Sequence, residues 1–123
     1  VIFYILCCLI AGFTHFLFNP ASSVPTVGAS GAIAGVMGAY FVMFPHSKIA
    51  TLVPVFVFLP MFIHVPAFIY LIIWFISQLL SGVTQWVGGS SVGGIAWWAH
   101  ISGFIAGVLM HRYFVRRRFY GVY

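Results

Sequence analysis

The 123-residue chain is 63% hydrophobic, 20% aromatic and 4% charged, too little polar surface to face water all round, and it is expected to lie in a bilayer as one domain of about four spans. It holds no Asp or Glu, which excludes an acidic general base, a carboxylate to orient a histidine and a carboxylate metal ligand; any catalysis must run on Ser, Thr, Tyr, His or Cys. The net charge of +5 comes from Lys48, Arg112, Arg116, Arg117 and Arg118, a sparse basic set in a hydrophobic chain that suits membrane orientation rather than nucleic-acid binding.

Val1 to Phe18 is a nearly unbroken apolar run, about 27 Å long as a helix, and reads as the first span (about 1–18). No initiator Met, charged leader or cleavage site precedes it, so Val1 is expected to be a cut end. Adjacent Cys7 and Cys8 cannot bridge each other without distortion and read as packing residues. His15 reads as an interfacial group. The polar stretch from Asn19 to Pro25, with its two prolines, then forces a loop.

The second span covers about 28–44 and opens on Gly28-Ala29-Ser30-Gly31. From Ser30 it is only about 22 Å long, shorter than a hydrocarbon core of about 30 Å, so its start is expected below the membrane surface, with residues 26–29 lining a wet pocket. A serine in a first helical turn sits beside unpaired N–H groups that favour developing negative charge, which suits a nucleophile; a plain N-cap serine is the other reading. Gly28 and Gly31 clear side chains from both sides of Ser30, and Gly31, Gly35 and Gly38 form a small-residue stripe that admits a neighbouring helix.

The apolar segment 49–64 is interrupted by Pro54 and Pro60 and reads as interfacial or re-entrant. Were it to cross, Ser30 and His100 would lie near opposite membrane faces, and Lys48 would be parted from the arginines. The third span, about 66–80, starts on Pro66, and Gln78 near its far end is expected to pair with loop or water. Residues 81–94 are rich in Gly and Ser and read as a mobile cap or a linker.

The last span, about 95–114, carries His100, Gly103 and Gly107 on one face, since at 100° per residue His100 and Gly107 differ by about 20° in azimuth. An ionisable group inside a bilayer faces the bundle interior and is a functional candidate by default; a histidine bonded to a neighbouring carbonyl is the alternative. His111, Arg112 and Arg116 to Arg118 read as a cytosolic anchor. The fold expected is thus all-α, a polytopic membrane helix bundle, with two glycine-striped helices entering from one side. Their packing would let the His100 imidazole meet the Ser30 hydroxyl, the geometry of a base activating a nucleophile.

Gly28-Ala29-Ser30-Gly31, followed a span later by Ala99-His100-Ile101-Ser102-Gly103 and Gly107, resembles the rhomboid family of intramembrane serine proteases, and the likeness covers essentially the whole chain. The resemblance implies a six-helix core that cleaves transmembrane helices near their outer end, with Ser30 as nucleophile and His100 as base and then acid. The Ser30 N–H, with Gly28 and Gly31 in support, would help form an oxyanion hole. Gly35, Gly103 and Gly107 would serve helix packing. It further implies no metal or cofactor, transmembrane proteins as substrates within the lipid bilayer, and a multi-pass protein of a bacterial inner membrane with its basic C-terminus in the cytoplasm.

The four spans resemble core helices three to six, so residues 1–123 are expected to be the C-terminal portion of that core. In the family, the second core helix supplies a His and an Asn four residues apart that complete the oxyanion hole, and a preceding loop dips into the membrane. Neither is expected in this chain; His15 lies in the span just before the Ser helix and does not read as a substitute. These residues alone are therefore expected to be inactive or badly impaired. The position four after the serine, aromatic in some members, is Ala34, and Trp97 or Trp98 is expected near His100 instead. A non-catalytic rhomboid-like protein that binds client helices is the alternative function. A channel or transporter subunit would need a polar pathway that the spans do not offer.

Overall fold

The computed structural model describes residues 1–20, 28–56, 59–88 and 96–115, with backbone alone over 53–56 and 59–60. The elements are α1 (Ile2–Phe18), α2 (Ala29–Met43), β1 (Lys48–Phe56), β2 (Leu59–Pro66), α3 (Ala67–Gly88) and α4 (Trp97–Phe114). Prolines set several of the boundaries. Asn19 precedes Pro20 and Phe44 precedes Pro45, and both residues leave helical geometry, at φ −137° and −134°, because a following proline ring crowds the α conformation.

Helix α4 is the hub, packing on α1, α2 and α3. Along α2 it runs parallel with backbone against backbone: a Cβ on Gly103 would collide with the Gly31 carbonyl, one on Gly107 with that of Gly35, and one on Gly38 with that of Phe104. Helix α1 closes the other side of α2, with Ala11 against Gly31 and Cys7 against Gly35. It runs antiparallel to α4, with Phe18 stacked on Trp98 at 4.4 Å between ring centroids and Phe3 edge-on to Phe114 at 5.5 Å. Helix α3 covers the remaining side of α4 through Phe75 on Phe104 and Gly82 beneath Trp97, Trp98 and Ile101.

Small residues fill the interior, among them Cys7, Ala11, Ala32, Ala34, Ala99 and Ala106, while large ones such as Leu9, Phe13, Ile73 and Leu109 point outwards. This inverts the order of a water-soluble protein. It suits a lipid solvent, where close backbone approach rather than apolar burial holds helices together.

The all-α expectation needs one correction. Segment 48–66 is an antiparallel β-hairpin, paired from Lys48↔Pro66 to Phe56↔Leu59 with an irregularity between Pro54 and Phe56. Ile49, Thr51, Val53 and Val55 put a β-branched residue at every second position of the sequence, a strand signal, and Pro54 and Pro60, which would break a helix, are backbone partners across the hairpin. At its base the Ala67 N–H donates to the Ser47 carbonyl (2.7 Å) and the Phe68 N–H to that of Pro45 (3.1 Å). The chain therefore returns to the end of the bundle from which it left, and α3 runs back beside α4.

Helix α3 also extends beyond the expected 66–80: residues 81–88 continue it, so that more than half of the predicted cap or linker is helix, and 89–95 lie outside the described residues. With 22 residues, α3 is the one described helix that by length and apolarity suffices to cross a membrane. Helices α1 and α2 are apolar but shorter, at 17 and 15 residues. Residues 26 and 27 of the expected wet pocket and the arginines at 116–118 are likewise outside the described set.

Candidate active site

Helix α2 begins with Gly28 as its N-cap, without a side-chain cap bond, so Ser30 is the second helical residue. The N-cap reading of Ser30 is thereby set aside. Its backbone N–H belongs to the first turn, whose donors have no carbonyl four residues back within the helix. Its exposed hydroxyl lies 3.0 Å from His100 Nε2. The glycine seam aligns the two groups: Gly31 meets Gly103 across it, Ser30 stands one residue before Gly31, and His100 stands about one turn before Gly103. Two residues 70 positions apart thus meet at one level of two parallel helices.

The motif glycines are occupied with packing. A Cβ on Gly28 would lie 2.9 Å from Cys8 Sγ, and one on Gly31 would strike Ala11 and come within 3.2 Å of the Ala99 carbonyl oxygen. Gly35 is closed in by Cys7 and by the Gly103 carbonyl, again at 3.2 Å. These contacts hold α1, α2 and α4 together beneath the serine.

The second imidazole nitrogen has a partner that the sequence reading assigned elsewhere. Gln78 on α3, with only 7% of its surface exposed, brings Oε1 to 2.8 Å from His100 Nδ1. Its Nε2 donates to Ser77 Oγ at 3.0 Å, and Ser77 Oγ donates to the Trp74 carbonyl at 2.6 Å. Pairing of Gln78 with loop or water is therefore corrected. The signal was present in the spacing: Ala67, Leu71, Gln78 and Gly82 form the buried face of α3, and an amide on such a face in an apolar helix requires a partner.

Two indoles flank the imidazole, Trp74 at 6.1 Å between centroids and Trp97 edge-on at 6.3 Å. Of Trp97 and Trp98, either of which was expected near His100, it is Trp97 that lies there, and Trp98 stacks on Phe18. Ala34 is buried against Leu71 and Phe104. His15 and Asn19 stand four residues apart, so spacing alone does not set His15 aside. Asn19 ends α1, however, and its side-chain amide turns back to the His15 carbonyl at 3.4 Å. Among the described residues, no three His, Cys, Asp or Glu side chains group closely enough to hold a metal ion.

Comparison with known proteins returned no matching curated protein and no matching solved structure. A family model, the Rhomboid domain, does match, over residues 1–117. The match takes in all four helices, the hairpin and both ends of the Ser30–His100 contact, and the chain belongs to the rhomboid family of integral membrane proteins.

Proposed function

We propose that the chain carries the catalytic dyad of an intramembrane serine endopeptidase that cleaves transmembrane helices. The observation that carries this reading is the 3.0 Å contact between Ser30 Oγ and His100 Nε2 at the open end of α2. His100 Nε2 takes the hydroxyl proton as Ser30 Oγ attacks the scissile carbonyl, and the new oxyanion forms beside the first-turn N–H groups of α2, including that of Ser30. His100 then passes the proton to the leaving amine. Water, deprotonated by the same nitrogen, hydrolyses the acyl-enzyme and restores Ser30.

In this reading all four helices cross the bilayer of a bacterial inner membrane. The end bearing Lys48 and Arg112 faces the cytoplasm, in keeping with the positive-inside bias, and Ser30 opens towards the other side. The short α2 leaves its first turn beneath the surface, where a substrate helix, once unwound, presents a peptide bond.

The test is cleavage of a model transmembrane substrate by the full natural polypeptide in liposomes. Ser30→Ala is expected to abolish cleavage, and His100→Ala to lower kcat by about 100-fold or more. A fluorophosphonate should label the parent and neither variant. Cleavage that persists in Ser30→Ala overturns the assignment, and a folded parent that neither cuts nor labels marks a protein that binds helices without cutting them.

A further inference from the structure

We propose that Gln78 is the positioning residue of the dyad, holding His100 in the one neutral tautomer that can accept the serine proton. The proposal rests on the dyad reading and adds to it a third member, contributed by α3. Its basis is the direction of a hydrogen-bond chain.

A neutral imidazole carries one N–H and one lone pair, and only the form protonated on Nδ1 can serve as base through Nε2. The direction is set at the far end of the chain. Ser77 has a single hydroxyl hydrogen, and it is given to the Trp74 carbonyl at 2.6 Å. Ser77 Oγ can therefore only accept from Gln78, which turns the amide nitrogen towards Ser77 (3.0 Å) and leaves Oε1 facing His100 Nδ1 (2.8 Å). An amide oxygen only accepts, so the Nδ1 proton stays where it is and the lone pair of Nε2 is directed at Ser30 Oγ, 3.0 Å away.

With the amide reversed, its NH₂ would protect the Nδ1 lone pair, the proton would move to Nε2, and the base would be lost. That arrangement would also set Gln78 Oε1 against a serine oxygen with no hydrogen to offer. The same contact fixes the ring. Held at Nδ1 by Gln78 and flanked by Trp74 and Trp97, the imidazole cannot turn about its Cβ–Cγ bond without breaking a buried hydrogen bond. In a chain with no Asp or Glu, a buried amide does the orienting work that an aspartate does elsewhere. It does so without placing a charge in the bilayer.

The decisive comparison uses the full natural polypeptide with Gln78→Met, similar in shape but lacking the acceptor, and Gln78→Glu, which keeps an acceptor oxygen. Gln78→Met is expected to lose about 10- to 100-fold in kcat with KM unchanged, and Gln78→Glu to recover most of that loss. A Gln78→Met enzyme within threefold of the parent overturns the proposal, as does a Gln78→Glu enzyme no better than Gln78→Met. A second measurement is independent of turnover: ¹⁵N imidazole NMR of the Ser30→Ala protein should place the His100 proton on Nδ1, and a proton found on Nε2 overturns the proposal. The two readings fail separately. Persistent cleavage in Ser30→Ala removes the dyad itself, whereas an inactive Ser30→Ala beside an unimpaired Gln78→Met removes only the role of Gln78.

Discussion

A serine hydroxyl is a weak nucleophile in isolation, and a neutral hydrogen bond to an imidazole is worth only about 1 kcal/mol net. What matters is which atom of the ring faces it, and that is decided two side chains away, at Ser77. Ser77→Ala deletes the acceptor that orients the Gln78 amide while leaving Gln78 in place. The amide is then free to reverse, and kcat is expected to fall several-fold, less than in Gln78→Met, which steady-state kinetics on a transmembrane substrate would reveal. Ser30 and His100 were both legible in the sequence, since each is a polar residue beside a glycine stripe in an apolar helix. Gln78 was legible only as a polar interruption. Its partner could not be read, because nothing local in Trp74-Phe75-Ile76-Ser77-Gln78 says which neighbouring helix that face meets.

At the scale of elements, the seam between α2 and α4 is the mechanical support of the Ser30–His100 contact. Gly103→Val would drive a branched side chain into the Gly31 carbonyl, part the two helices and draw Ser30 away from His100. Overpacking of this kind costs about 1–3 kcal/mol; fluorophosphonate labelling is expected to slow at least tenfold, and the melting temperature in detergent to fall. Gly12 on α1 provides the contrast, because a Cβ there meets nothing within 4 Å. Gly12→Ala is expected to leave labelling unchanged and to raise helix stability by up to about 1 kcal/mol, so an equal loss in both variants would show that the effect is not specific to the seam. The glycine spacing that marks this seam was readable from the sequence. The hairpin over 48–66 was not read there: a run of apolar and β-branched residues with two prolines fits a strand pair as well as a broken helix, and strand pairing is a non-local choice.

For the whole molecule, the hairpin decides topology by bringing α3 back beside α4, with Gln78 at the level of His100. In a background with Cys7 and Cys8 replaced by alanine, single cysteines at Leu52 in β1, Tyr113 near the end of α4 and Trp86 near the end of α3, all exposed, should report it through a membrane-impermeant maleimide. Leu52 and Tyr113 are expected to label from one side and Trp86 from the other; Leu52 labelling with Trp86 would show that the hairpin crosses the bundle. The sequence by itself determined the solvent, because a chain so apolar and so poor in charge cannot be hydrated. It also determined the seam and the two residues beside it, because helical periodicity is local and a missing side chain is visible in the letters. Only the tertiary structure decided that 48–66 folds back as a hairpin and that a glutamine from a third helix ends on the free nitrogen of His100. Both depend on which surfaces of distant segments meet, and that is a property of packing rather than of any one stretch of chain.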